Sequence, residues 1–156
     1  MKTRARCVNG GCFEKAFSRQ GAKRFSVHAL QDMNDAMPDF GVTPPNGYRW
    51  LVESGVMGFK EWGPLSPWYL LASEDLFSPT DQWPDIPAAG KLMAFARRQD
   101  NDDVACFEIN SGAVTAIALI HGWTPEGYDV RDSYKSIWEW LKAVIDDVAE
   151  GTNLNA

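Results

Sequence analysis

Apolar residues recur at helical spacing in three segments of this chain and as short unbroken runs in three others. From Phe25 to Met37, the positions Val27, Leu30, Met33 and Met37 step by threes and fours. Ser26 can cap that helix and Pro38 stops it. Pro44 and Pro45 then break the chain. Asn46 to Ser54 follows, with Tyr48, Leu51 and Val52 on one side and Gly55 as C-cap, and the pattern predicts a short helix starting at a proline. The third helical segment is C-terminal. Tyr134, Ile137, Trp138, Leu141, Val144, Ile145 and Val148 fit one arc of roughly 120°. Asp132 or Ser133 can cap this helix and Gly151 ends it. On that arc Trp138 faces the core, and Trp140 lies about 40° outside the Val144 edge, either packed under a neighbouring loop such as Gly122 to Asp129 or free for a partner.

Between Gly58 and Gly90 the pattern is aromatic residues broken by Pro64, Pro67, Pro79, Pro84 and Pro87. Such proline density excludes a central strand or long helix. Trp68 to Ala72 can form an edge strand, and the rest should be loop. Three apolar runs come next: Leu92–Arg97, Val104–Ile109 and Ala113–Ile120. They are separated by Gln99-Asp100-Asn101-Asp102 and by Asn110-Ser111-Gly112. Runs of this length with turn clusters between them predict a three-stranded antiparallel meander. The third run is apolar on both faces, which predicts a central strand covered on both sides. The expected fold class is α+β, an antiparallel-dominated sheet with N-terminal helices and a C-terminal helix packed on it. The expected divisions are a basic tail over 1–22, one domain over 23–150 and a short tail over 151–156.

Composition adds limits. With 156 residues, 45% of them hydrophobic, the chain has the size and apolar content of one domain with a packed core. The longest apolar run is far short of the roughly 20 residues of a membrane span, and no apolar stretch follows the basic N-terminus as in a secretory signal. Three cysteines argue for a reducing compartment, hence a cytoplasmic protein. Charge is unevenly placed. Residues 1–30 hold seven Lys/Arg against Glu14, a net of +6, and the remainder holds eight basic and twenty acidic residues, a net of −12. An acidic body repels nucleic acid and attracts basic partners. The basic N-terminus could contact nucleic acid or anionic lipid; it reads first as a solvated tail, with an organellar transit peptide as a minor alternative.

Candidate chemistry is thin. The two histidines are His28 and His121. A Cys106/His121 nucleophile pair could sit on neighbouring strands, but spacing suggests no third group to orient it. Cys7 and Cys12 would supply half a zinc site. The carboxylate pairs Glu74/Asp75, Asp81/Asp85, Asp102/Asp103 and Asp146/Asp147 allow a glycosidase reading. They fall in turns or on a polar helix face, however, where solvated acids are usual. No phosphate-cradling glycine loop is present. Glu108 interrupts an apolar run, either as an acid aimed at a partner or as part of a solvent-facing strand surface.

The order of pieces then resembles a family. "PPNGYRWLVESG" is followed by "EWGPLSPWYLL", by "FARRQDNDDVACFEI", by a strand ending "IHGW", and by "SIWEWLKAVIDDV". Over residues 40–150 this is similar to the SUKH superfamily of Smi/Knr cell-wall-regulator-like domains. The resemblance implies an α+β fold and binding rather than catalysis. In bacteria such domains are commonly immunity proteins that block a toxin, often a nuclease, and fungal relatives act in cell-wall assembly signalling. The expectation is therefore a non-catalytic immunity-type protein, without cofactor or metal. It would act as a monomer or weak dimer on a cognate toxin with a basic surface, and would bind neither nucleic acid nor membrane. The other expectation is a signalling or scaffolding domain of cell-envelope assembly. The expected contact residues are Asp100, Asp102, Asp103 and Glu108, with Glu74, Asp75 and Trp140.

Overall fold

Five strands form one antiparallel sheet in simple chain order: β1 (Trp68–Leu70), β2 (Lys91–Arg98), β3 (Asp103–Asn110), β4 (Ala113–Thr124) and β5 (Gly127–Tyr134). Among the described residues two α-helices accompany it, α1 (Asn46–Glu53) and α2 (Ile137–Gly151). This is an α+β fold. The computed structural model describes residues 41–152 apart from 62, 89 and 126. The basic tail, the helix expected over Phe25–Met37, and Cys7, Cys12 and His28 lie outside the described residues.

Alternation along each strand sorts the side chains onto two faces. Met93, Phe95, Ala105, Phe107, Ile109 and Ile117 join Tyr48, Leu51 and Val52 of α1 and Ile137, Trp140 and Val144 of α2 in the larger core. Phe95 stacks on Phe107 at 4.0 Å, and Tyr48 meets both rings edge-on. Trp140 meets Phe95 at 5.0 Å and Trp68 at 5.6 Å. The opposite face carries Leu92, Ala94, Val104, Cys106 and Ile120, and the proline-rich segment covers it through Leu71, Leu76, Phe77, Trp83 and Ile86. Segments that cannot join a ladder thus serve as a coat, with short 3₁₀ turns at Ser73–Asp75 and Pro79–Asp81. The β3–β4 turn puts Ser111 and Gly112 at φ of 50° and 78°, the left-handed pair that a two-residue hairpin demands.

The three expected strands and the β1 edge are present, with four differences. β4 continues through His121 and Gly122 to Thr124, beyond its expected end at Ile120. Burial on both faces falls instead on β2, over Leu92 to Ala96, and on β3, the middle of the five, over Asp103 to Phe107. On β4, Ile117 and Ile120 are buried, while Val114, Ala116, Ala118 and Leu119 stay partly exposed. Gly127–Tyr134 is a fifth strand where the sequence suggested a loop and a helix start. Its one alternation, Tyr128 and Val130 against Asp129 and Arg131, breaks off at Asp132-Ser133, too short to announce a strand of this length.

The fourth difference reverses two tryptophans. α2 begins at Ile137, capped by Ser136, whose Oγ accepts from the Glu139 N–H at 3.3 Å. Its inward residues Ile137, Trp140, Leu141, Val144 and Val148 span about 100° around Val144. Trp140 is only 1% exposed and Trp138 is 55% exposed. Tyr134, counted as helical in the sequence pattern, belongs to β5. Including it swung the expected arc toward Trp138 and Ile145. Trp138 instead lies outside beside Trp50 of α1, ring centroids 6.0 Å apart.

Candidate functional site

The best-built polar feature is the β2–β3 hairpin loop, where the acidic cluster of the sequence lies. Each residue from Arg98 to Asp103 is tied down by a hydrogen bond. Arg98 donates Nε and Nη2 to the two oxygens of Asp100, both at 2.9 Å, and Nη1 to Asp147 Oδ2 of α2 at 3.0 Å. Trp68 Nε1 donates to that same Asp147 oxygen at 2.9 Å. The fork geometry of the guanidinium suits two parallel bonds to a carboxylate, and charge strengthens them. It also holds the Asp100 carboxyl below the usual carboxylate range, first through the hydrogen bond and then through the charge of Arg98.

The remaining loop residues are bound to two other segments and to one another. The Gln99 N–H donates to the Pro67 carbonyl at 3.0 Å and its side-chain amide to Ser66 Oγ. Asn101 and Asp103 bond reciprocally: Asn101 Nδ2 donates to Asp103 Oδ2 at 3.0 Å, and the Asp103 N–H to Asn101 Oδ1 at 2.8 Å. The Asp102 carbonyl accepts from the Gly122 N–H of β4 at 3.1 Å. A loop fixed this way loses little further freedom when a partner binds.

Asp103 was expected to contact a partner and is instead 3% exposed. It occupies the first position of a strand whose next four residues are buried, so its carboxylate turns inward. Buried charge requires partners, and three residues supply them. His121 Nδ1 lies 2.7 Å from Asp103 Oδ1, Arg131 Nη1 lies 3.5 Å from it, and Asn101 takes the other oxygen. Asp103 thus joins β3, β4 and β5 at one end of the sheet. The arrangement orients the His121 ring, but toward no thiol. Cys106 faces the other side of the sheet and packs with Leu92 and Ile120, and burial pushes its thiol up. The Cys106/His121 pair does not form.

The other expected contact residues scatter. Asp100 and Asp102 are exposed at the hairpin tip. Glu74 and Asp75 are exposed on the 3₁₀ turn beyond β1, which has by then run away from the tip, since Trp68 pairs with Arg98 but Leu70 with Ala96. Glu108 is half-buried, five residues along β3 from Asp103, or about 17 Å at strand spacing. Trp140 has no exposed ring to offer. Of the residues that build the site, Arg98, Asn101 and Arg131 were missed, while His121 and Asp147 entered only as halves of a Cys106/His121 nucleophile pair and an Asp146/Asp147 carboxylate pair. The polar cluster before Val104 marks the loop in sequence, but nothing local marks the strand and helix partners that hold it.

Comparison with known protein families, curated proteins and solved structures finds no match to this chain. Among the described residues no helix is long and apolar enough to cross a membrane, and no group of three or more His, Cys, Asp or Glu side chains is placed to hold a metal ion.

Proposed function

We propose that this chain is a non-catalytic, immunity-type protein of the SUKH kind, which binds a basic protein toxin, a nuclease by class, and occludes its active site. The observation that carries this reading is the pre-formed acidic hairpin. Asp100 and Asp102 are displayed on a loop whose every residue is anchored, so an acidic surface meets its target without first being ordered. The acidity of the surrounding body agrees. Residues 41–152 hold eight basic and seventeen acidic residues, a net of −9, which favours encounter with a cationic surface that otherwise binds nucleic acid.

Neutralisation tests the proposal. Each basic protein encoded beside this chain is expressed in cells with and without the chain, and the purified pair is examined by gel filtration. Growth rescue together with a stable complex is the expected outcome. A toxin that remains lethal and elutes separately would overturn the assignment.

A further inference from the structure

The two edges of the sheet are finished differently. β1 is three residues long, and Met57 bridges Leu70 beside it, so little of that edge is open. β5 is eight residues long, about 27 Å at strand spacing. It is last in the strand order, and Asp129 to Ser133 are all exposed. No described element lies across its outer side. A long uncovered edge presents a row of peptide N–H and C=O groups to any extended chain that can approach.

We propose that the outer edge of β5 is a docking strand for an extended, basic segment of a protein partner, which adds to the sheet as a sixth strand. Charge selects the occupant. Asp129 pairs with His121 in register and Asp132 with Leu119, so both acids lie on the helix-bearing face of β5. The strand's own cation, Arg131, sits at the register shift between Val130 and Asp132 and is engaged by Asp103. A strand with Lys or Arg at alternate positions meets both acids, and its intervening residues can cover Val130 and Tyr128 on the other face. The edge also continues the acidic hairpin, because the Gly122 N–H that binds the Asp102 carbonyl belongs to the residue paired with Tyr128. In taking the partner to be basic, this inference rests on the reading of the hairpin above.

Selection from a random decapeptide display library against the full chain tests the inference, because all side-chain chemistries compete. The expected winners carry Lys or Arg at alternate positions. They should slow amide exchange specifically over 127–134 and lose at least about tenfold in affinity on D129K/D132K. That variant changes two exposed residues, and its unaltered circular dichroism and melting temperature will show that it folds. Winners that are neutral or acidic would overturn the proposal, as would exchange protection confined to other segments. Protection of β5 that grows with protein concentration alone would identify a second copy as the occupant and overturn it too. Toxin neutralisation without β5 protection would defeat the docking strand alone. Peptide docking on β5 without neutralisation would defeat the toxin assignment alone.

Discussion

Asp102 and Asp103 are adjacent acids with opposite physical roles. Asp102 stands in solvent, while Asp103 is enclosed by His121, Arg131 and Asn101. Asp103→Ala should cost about 1–3 kcal/mol, the cost of leaving its donors unpaired, moderated because His121 and Arg131 keep some contact with water. Asp102→Asn should stay within about 0.5 kcal/mol. Urea unfolding of the two variants checks this, and equal losses would refute the division. Tyr134 gives a pH prediction. Desolvation, with the Asp132 carboxylate beside it, pushes its phenol up to about 12. The unfolded chain releases that proton first, near 10. The contribution is therefore intact below about pH 10 and is lost as pH rises toward 12. Calorimetry between pH 9 and about 12 should show a steeper fall in melting temperature for the native chain than for Tyr134→Phe.

At the scale of elements, α2 places its two tryptophans oppositely. Trp140→Ala removes a ring packed against Phe95 and Trp68 and should cost about 3–5 kcal/mol. Trp138→Ala removes a ring more than half exposed and should cost about 1 kcal/mol. Denaturant titration of both variants decides, and the reverse order would show that the helix is rotated from the face described. The junction of α1 and α2 depends on Gly47. A Cβ there would lie 2.5 Å from Ile137 Cγ2 and 3.0 Å from two Trp138 ring atoms. Gly47→Ala gains helix propensity but forces the helices apart, and overpacking of this kind costs about 1–3 kcal/mol. A lower melting temperature for Gly47→Ala is the expected result, and an unchanged or higher one would show that the contact yields easily.

For the whole molecule, charge distribution governs association more than stability. The double substitution Asp100→Asn/Asp102→Asn should slow association with a basic partner and flatten its dependence on salt, with little change in the melting temperature. Stopped-flow association at several ionic strengths measures both effects. Identical rates for the native and substituted chains would take the hairpin out of the interface. Asp100→Asn weakens the bonds from Arg98, but the shape of the loop does not rest on them alone. The bond from Gly122 to the Asp102 carbonyl, and those of Gln99 and Asn101, do not involve the substituted side chains and should preserve it.

Local pattern was enough wherever an element has one apolar face and one solvent face, or lies between apolar layers. α1, β2, β3 and the hairpin turn at Ser111-Gly112 follow from spacing and turn chemistry in the sequence, as does the α+β class. The prolines between Gly58 and Gly90 likewise excluded a long helix or central strand. Tertiary structure alone decided the rest. β5 is a strand because β4 offers it an edge, not because its charged residues favour one. α2 begins three residues later than its period suggested because Tyr134 is held in that strand. Periodicity measures which residues could share a face, but burial depends on the neighbour that arrives to cover it. For the same reason Asp103 reads as one more acid in a turn until β4 and β5 bring His121 and Arg131 to its carboxylate. Contacts between residues far apart in the chain are set by the closing of the sheet.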